Sequence, residues 1–212
     1  MENKGLLLVV SGFSGAGKGT LMKKLLENYD NYALSVSATT RAPRVGEEHG
    51  KDYFFVEREE FLRMIEENAL YEHAEYAGNF YGTPKAYVDQ KLSEGKDVIL
   101  EIEVQGAEKI KKRFPDTVLI FVTPPTAEEL KRRLVGRGTE TPDKILKRLE
   151  RAVEEAKYMP FYDYILVNDD LEESTIRLHD IISSEHAVSA RNREFILQIT
   201  DELKTITNEK GE

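Results

Sequence analysis

The sequence predicts an α/β protein with a parallel core sheet flanked by helices, and three observations carry that prediction. Four short, nearly continuous apolar runs, at 6–12, 97–103, 117–125 and 162–168, read as strands covered on both faces. Helical periodicities alternate with them at 21–28, 85–94, 107–114, 127–135 and 143–158. The first apolar run also leads straight through SGFSGAGKGT into a helical pattern, the strand–turn–helix join of a βα unit.

That first turn carries the strongest chemical signal. Gly12, Gly17 and Lys18 fit G-x-x-x-x-G-K, with Ser14, Gly15 and Ala16 between them. Glycines let successive N–H groups face inward without a Cβ in the way, so the loop forms a nest for phosphate at a helix N-terminus. Lys18 would reach the β- and γ-phosphates. Gly19 stands where Ser or Thr is usual, and Thr20 follows, so a hydroxyl remains available to phosphate or magnesium. A bare connecting turn is the plain alternative, and the flanking strand and helix weigh against it. Switches, motors and small-molecule kinases share such a loop, so it does not choose among them.

The region 35–83 breaks the α/β rhythm with alternation and turns around a helix at 59–68, which predicts a small β-rich insertion. Within it, Arg41 and Arg44 flank Pro43, and Tyr53, Glu72, Tyr81 and Thr83 follow. Guanidinium forks suit a phosphate dianion, and a tyrosine hydroxyl adds a donor; on composition alone the same arginines would serve a solvated turn. Next comes LEIEVQGA, at the carboxyl end of a strand, where open α/β sheets place ligands. The charged segment 126–155, carrying Arg133, Arg137 and Arg148, reads as a helical hairpin that covers the site, although such arginines also pair with neighbouring glutamates at helical spacing. The last core strand ends in VNDD, and beyond residue 184 helical spacing returns at Phe195, Ile196, Ile199 and Leu203.

Composition bounds the rest. With 40% hydrophobic and 33% charged residues among 212, the chain is an ordinary globular protein. The absence of cysteine excludes disulfides and thiolate metal sites, and fits a reducing cytosol. The apolar run near the N-terminus is too short for a signal or membrane segment, so a cytoplasmic protein is expected. A net charge of −9 argues against binding nucleic acid, and nothing in the sequence calls for an obligate protein partner.

Taken together, SGFSGAGKGT, SVSATTRAPRVGEEHGKDYFFV, EYAGNFYGTP, LEIEVQGA, RRLVGRGTET and VNDD, in that order over roughly 4–186, resemble the guanylate kinase family. The resemblance implies a P-loop nucleoside monophosphate kinase fold that transfers the γ-phosphoryl group of ATP to GMP or dGMP, with Mg²⁺ accompanying ATP. It implies a core of 1–34, 84–125 and 156–212, a GMP-binding insertion at 35–83 and a lid at 126–155. ATP would be held by Gly12, Ser14, Gly15, Ala16, Gly17, Lys18, Gly19, Thr20, Arg133 and Asn168, and GMP by Ser37, Arg41, Arg44, Tyr53, Glu72, Tyr81, Thr83 and Glu103. Catalytic charge would come from Lys18, Arg41, Arg137 and Arg148, and magnesium would be held by Thr20 and, through water, Glu101. The family usually shows Asp where this chain has Glu103.

Chemistry supports the base assignment. Guanine offers N1–H and the N2 amino group as adjacent donors, which one carboxylate at Glu72 accepts, while hydroxyls of Ser37 and Thr83 can donate to O6. Adenine would set a lone pair against that carboxylate, so the site repels as well as attracts. Competing expectations are a kinase of another small acceptor, a protein-binding module on the same fold, and a switch GTPase. The last lacks its N-K-x-D signature, since the one N-K, at Asn3 and Lys4, precedes the loop.

Overall fold

A computed structural model describes residues 4–76, 78–136 and 141–208. A five-stranded parallel sheet lies at the centre, in the order β2 (Tyr32–Leu34), β7 (Asp97–Glu101), β1 (Leu7–Gly12), β8 (Val118–Thr123), β9 (Tyr164–Val167). Parallel neighbours need crossovers, and helices supply them on both faces. Along β1 the side chains alternate between two cores. Leu8 and Val10 pack with Leu21, Met22 and Leu25 of α1 (Lys18–Asn28) and with Leu178 and Ile182 of α7 (Leu171–His186). Val9 faces the other way, onto Val88 and Leu92 of α3 (Lys85–Ser93) and Ala107 and Ile110 of α4 (Val104–Arg113). Three of the four near-continuous apolar runs, β1, β7 and β8, are thus covered on both faces as expected; the fourth, β9, is an edge strand that buries Leu166 and leaves Ile165 and Val167 exposed.

A second sheet has the order β4 (Phe54–Phe55), β3 (Ala38–Thr39), β6 (Asn79–Pro84), β5 (Leu70–Tyr76), with β3 parallel to β4 and antiparallel to β6. Its own small core gathers Ala38, Phe61 and Leu70, with Phe54, Met64 and Phe80 against them; Phe61 comes from α2 (Arg58–Glu66). Helices α5 (Ala127–Gly136) and α6 (Pro142–Ala156) pack through Leu130, Leu134 and Ala152, and this cluster touches Phe13 in the glycine loop. Helix α8 (Arg193–Asn208) follows the short turn Ser189–Asn192 and buries none of its residues. Among the described residues no helix is long and apolar enough to cross a membrane.

Two elements went unforeseen by periodicity. Strand β2 is three residues long, too short for an alternation to register, and is defined by its pairing with β7. Helix α7 buries Ser174, Thr175, Leu178, Ile182 and Glu185, a helical spacing in which polar side chains occupy three of the inward positions and hide the apolar period. It starts at Asp170, which caps it by accepting from the Glu173 N–H at 2.9 Å.

Candidate active site

The glycine loop forms where β1 ends, at the carboxyl edge of the sheet. Its conformation leaves no room for side chains at two glycines. A Cβ on Gly12 would sit 2.1 Å from the Val122 carbonyl oxygen, and one on Gly17, at φ +88°, would sit 2.6 Å from Asn168 Nδ2. Gly17 caps α1, whose first turn carries no acidic residue, so nothing internal offsets the positive end of the helix. The Lys18 ammonium donates to the carbonyls of Gly12 at 2.9 Å and Phe13 at 3.3 Å, folding over the loop it belongs to.

Neighbouring elements brace the loop from outside. The buried Asn168 amide donates to the Ala16 carbonyl at 2.8 Å. Arg133 donates to the Asn168 carbonyl at 2.9 Å and to Ala16 at 3.4 Å, while its Nε is held by Glu129 at 2.6 Å. With Arg132 and Arg133 both beside it, the Glu129 carboxyl is drawn down to about 2. Arg148 of α6 donates to Ser14 Oγ at 2.8 Å. Arg137 lies outside the described residues.

The second sheet carries the other group of expected residues. Arg41 lies over the Tyr53 ring at 5.3 Å, and the Tyr53 and Tyr81 rings meet edge-on at 6.2 Å, so these three converge. Arg44 is exposed one turn away. The register of β5 against β6 shifts between Leu70 and His73, and Glu72 sits within that shift; bulges of this kind re-aim side chains beside active sites. Thr83 Oγ1 donates to Glu72 Oε1 at 2.9 Å. Burial pushes the Glu72 carboxyl up, against the opposing pull of Thr83 and Lys109. Ser37 adjoins β3, and its carbonyl accepts from the Phe54 N–H at 2.8 Å.

Between the two groups lies the end of β7. The register sets Glu101 opposite Val10, two residues before Gly12. Crowding raises its carboxyl and the Lys18 charge lowers it again, so lysine and carboxylate act on each other across the strand ends. Glu103 caps α4 and points elsewhere: its Oε2 lies 2.5 Å from Nη2 of Arg151 on α6, and its side chain is 66% exposed. Arg151 also donates to Glu155 at 2.9 Å. Sequence reading passed over Arg151 and Glu155, since a charged helical segment looks solvated; the i, i+4 spacing of the two was the available signal.

Among the described residues no three His, Cys, Asp or Glu converge on a metal-sized point. A magnesium ion bound chiefly by phosphates and water needs no such cage. The exposed Thr20 hydroxyl in the first turn of α1 and the Glu101 carboxylate on the adjacent strand are a donor set of hard oxygens that fits this kind of ion.

Comparison with known proteins identifies the family. The family model described as guanylate kinase matches residues 4–185. The guanylate kinase of Lactococcus lactis is 51% identical over 204 residues, covering 96% of this chain and 100% of that protein. That of Clostridioides difficile is 53% identical over 195 residues, covering 92% and 95%. The crystal structure of guanylate kinase from Anaplasma phagocytophilum superposes with a TM-score of 0.71 at 39% identity, covering 90% of this chain and 91% of the other.

Proposed function

The chain belongs to the guanylate kinase family, and from that premise we propose how its residues divide the work of moving a phosphoryl group from ATP to GMP, giving ADP and GDP. The loop 12–20 takes the phosphates of ATP: its amides and the positive end of α1 meet the anion, and Lys18 turns from its own carbonyls to the β- and γ-oxygens. Arg133 and Asn168 act here chiefly by holding Ala16 in place. Mg²⁺ arriving with ATP, held by Thr20 and through water by Glu101, would neutralise charge building on the phosphates.

On the acceptor side, Arg41, Arg44, Tyr53 and Tyr81 take the phosphate of GMP. Glu72 accepts the N1–H and N2–H donors of guanine. Thr83 donates its hydroxyl hydrogen bond to Glu72 and so orients the carboxylate, leaving Ser37 to donate to O6. dGMP presents the same base and phosphate and is an acceptor too. Glu103 stands ready for the ribose or base edge when Arg151 releases it. Arg148, together with Arg137, brings positive charge to the phosphoryl group in transit, and closure of 35–83 and 126–155 over the core keeps water from the γ-phosphate. Solution scattering with GMP alone and with both nucleotides is expected to show two successive contractions; one profile for all states would remove the closure.

The observation that carries the acceptor reading is the register shift that sets Glu72 against Thr83, where burial raises the carboxyl. Free nucleotides, not nucleic acid, suit a chain of net charge −9, and a cysteine-free composition suits the cytoplasm. A coupled ADP-release assay across nucleoside monophosphates tests the reading. GMP is expected to be favoured over AMP on the order of 10⁴ in kcat/KM, and a preference for AMP would overturn the pocket.

A further inference from the structure

Glu47 is not among the residues expected from sequence, yet it touches both arginines assigned to the acceptor's phosphate. Its carboxylate accepts from the end of the Arg41 guanidinium, Oε2 from Nη1 at 3.0 Å and Oε1 from Nη2 at 2.9 Å. The same Oε2 accepts the backbone N–H of Arg44 at 2.7 Å, and the Glu47 N–H donates back to the Arg44 carbonyl at 3.1 Å. Nη1 gives its other hydrogen to the Ala42 carbonyl at 2.7 Å. From the opposite side the Arg41 N–H reaches Thr39 Oγ1 at 3.2 Å, which in turn donates to the Phe80 carbonyl at 2.9 Å and ties the arginine to β3 and β6.

This turn is otherwise open to solvent: Arg44 is exposed and Val45 fully so. The Arg41 and Glu47 side chains are nevertheless only 15% and 19% exposed, enclosed in part by the Tyr53 and Phe55 rings that flank the guanidinium. A paired, hydrogen-bonded carboxylate in that position has one of two consequences, and they differ in sign. Were it seated where the phosphate goes, its removal would tighten acceptor binding. Were it holding the arginine from behind, its removal would loosen it. The contacts favour the second, because Glu47 takes only the Nη1/Nη2 end of the fork, leaving Nε and the outer Nη2 hydrogen uncommitted to it, and ties that end to the Arg44 backbone with the same oxygen.

We propose that Glu47 is a positioning residue for the phosphoryl acceptor, clamping the Arg41 side chain and the Arg44 backbone into one fork that meets the acceptor's phosphate. The proposal rests on the reading that Arg41 and Arg44 bind that phosphate. A carboxylate is required because only two equivalent acceptor oxygens match a guanidinium by two parallel bonds; an amide would turn an N–H toward one Nη.

Steady-state kinetics and calorimetric GMP titration of Glu47→Gln, Glu47→Asp, Arg41→Ala and the double variant Arg41→Ala/Glu47→Gln test it, with thermal melting to verify folding. Glu47→Gln is expected to raise KM and Kd for GMP about tenfold to hundredfold, with kcat within about threefold and KM for ATP unchanged. Glu47→Asp, keeping the charge, should recover much of that loss. On the Arg41→Ala background the Gln substitution should add less than about twofold, because the clamp has nothing left to hold. An unchanged or lowered KM for GMP in Glu47→Gln, or fully additive losses in the double variant, would overturn the role of Glu47. An unchanged KM for GMP in Arg41→Ala would instead overturn the phosphate assignment beneath it.

Discussion

The donor and acceptor halves proposed for this enzyme are made of different materials. The glycine loop grips with backbone: its shape is fixed by Gly12 against Val122 and Gly17 against Asn168, and it is joined to the main core through Ala16 and Phe13. The acceptor half grips with side chains, projected from strands as short as two residues over a small separate core. The contrast follows from what each must recognise. A polyphosphate tail is the same in every nucleoside triphosphate, and amides pointing inward suffice for it. A guanine base differs from adenine by the placement of donors and acceptors, and only side chains of chosen chemistry can read that.

Four measurements would break or sharpen this contrast. The largest effect belongs to Lys18→Ala, expected to lower kcat by about 10³ or more with melting temperature nearly unchanged, because charge at the transferring group is lost while the loop keeps its backbone shape. A matching loss of folded protein would show that the lysine, not the glycines, holds the loop together.

Glu72→Gln comes next. It is expected to reduce the GMP over AMP ratio of kcat/KM about hundredfold and to leave KM for ATP alone. Its pH dependence has a definite sign. Burial raises this carboxyl, so the ionised form that accepts from guanine is lost as pH falls through a value above the usual carboxylate range. In the empty protein the same group adds stability at low pH and loses it as pH rises through that value. Comparing kcat/KM profiles for GMP, the acid limb due to Glu72 should vanish in the Gln variant; identical limbs would assign it to another group.

Asn168→Ala removes a buried amide that holds Ala16, and should cost about 1–3 kcal/mol in urea denaturation while raising KM for ATP about fivefold, with GMP affinity intact. A change in GMP affinity of the same size would mean that the two halves are coupled through the core. The smallest effect separates neighbouring glycines. A Cβ on Gly19 meets nothing within 4 Å in the first turn of α1, so Gly19→Ala should stabilise by about 0.5–1 kcal/mol, whereas Gly17→Ala should destabilise. Equal outcomes would refute the account of Gly17 as held by its positive φ and the closeness of Asn168.

Much of the donor half was legible in the sequence because its determinants are local. Its ten consecutive residues, 11–20, run from the end of a strand into the first turn of a helix, and glycine placement encodes their path. For the acceptor half the sequence offered a list of expected residues, through resemblance, but no arrangement. Nothing in the spacing of Glu72 and Thr83 announces the bulge that turns them together, and nothing in the run around Glu47 shows that its carboxylate closes on Arg41.

By itself the sequence determined the parallel sheet with its helical crossovers and the glycine loop that joins the first strand to the first helix. These depend on periodicity and on backbone freedom, which act within a few positions of the chain. Only the tertiary structure decided that β2 joins the sheet, that α7 seals one face with Ser174 and Thr175 turned inward, that Glu103 pairs with Arg151, and that Asn168 braces a loop 152 positions away. Such pairings depend on what the fold brings alongside each group, and a buried polar atom takes whichever partner satisfies it regardless of distance along the chain.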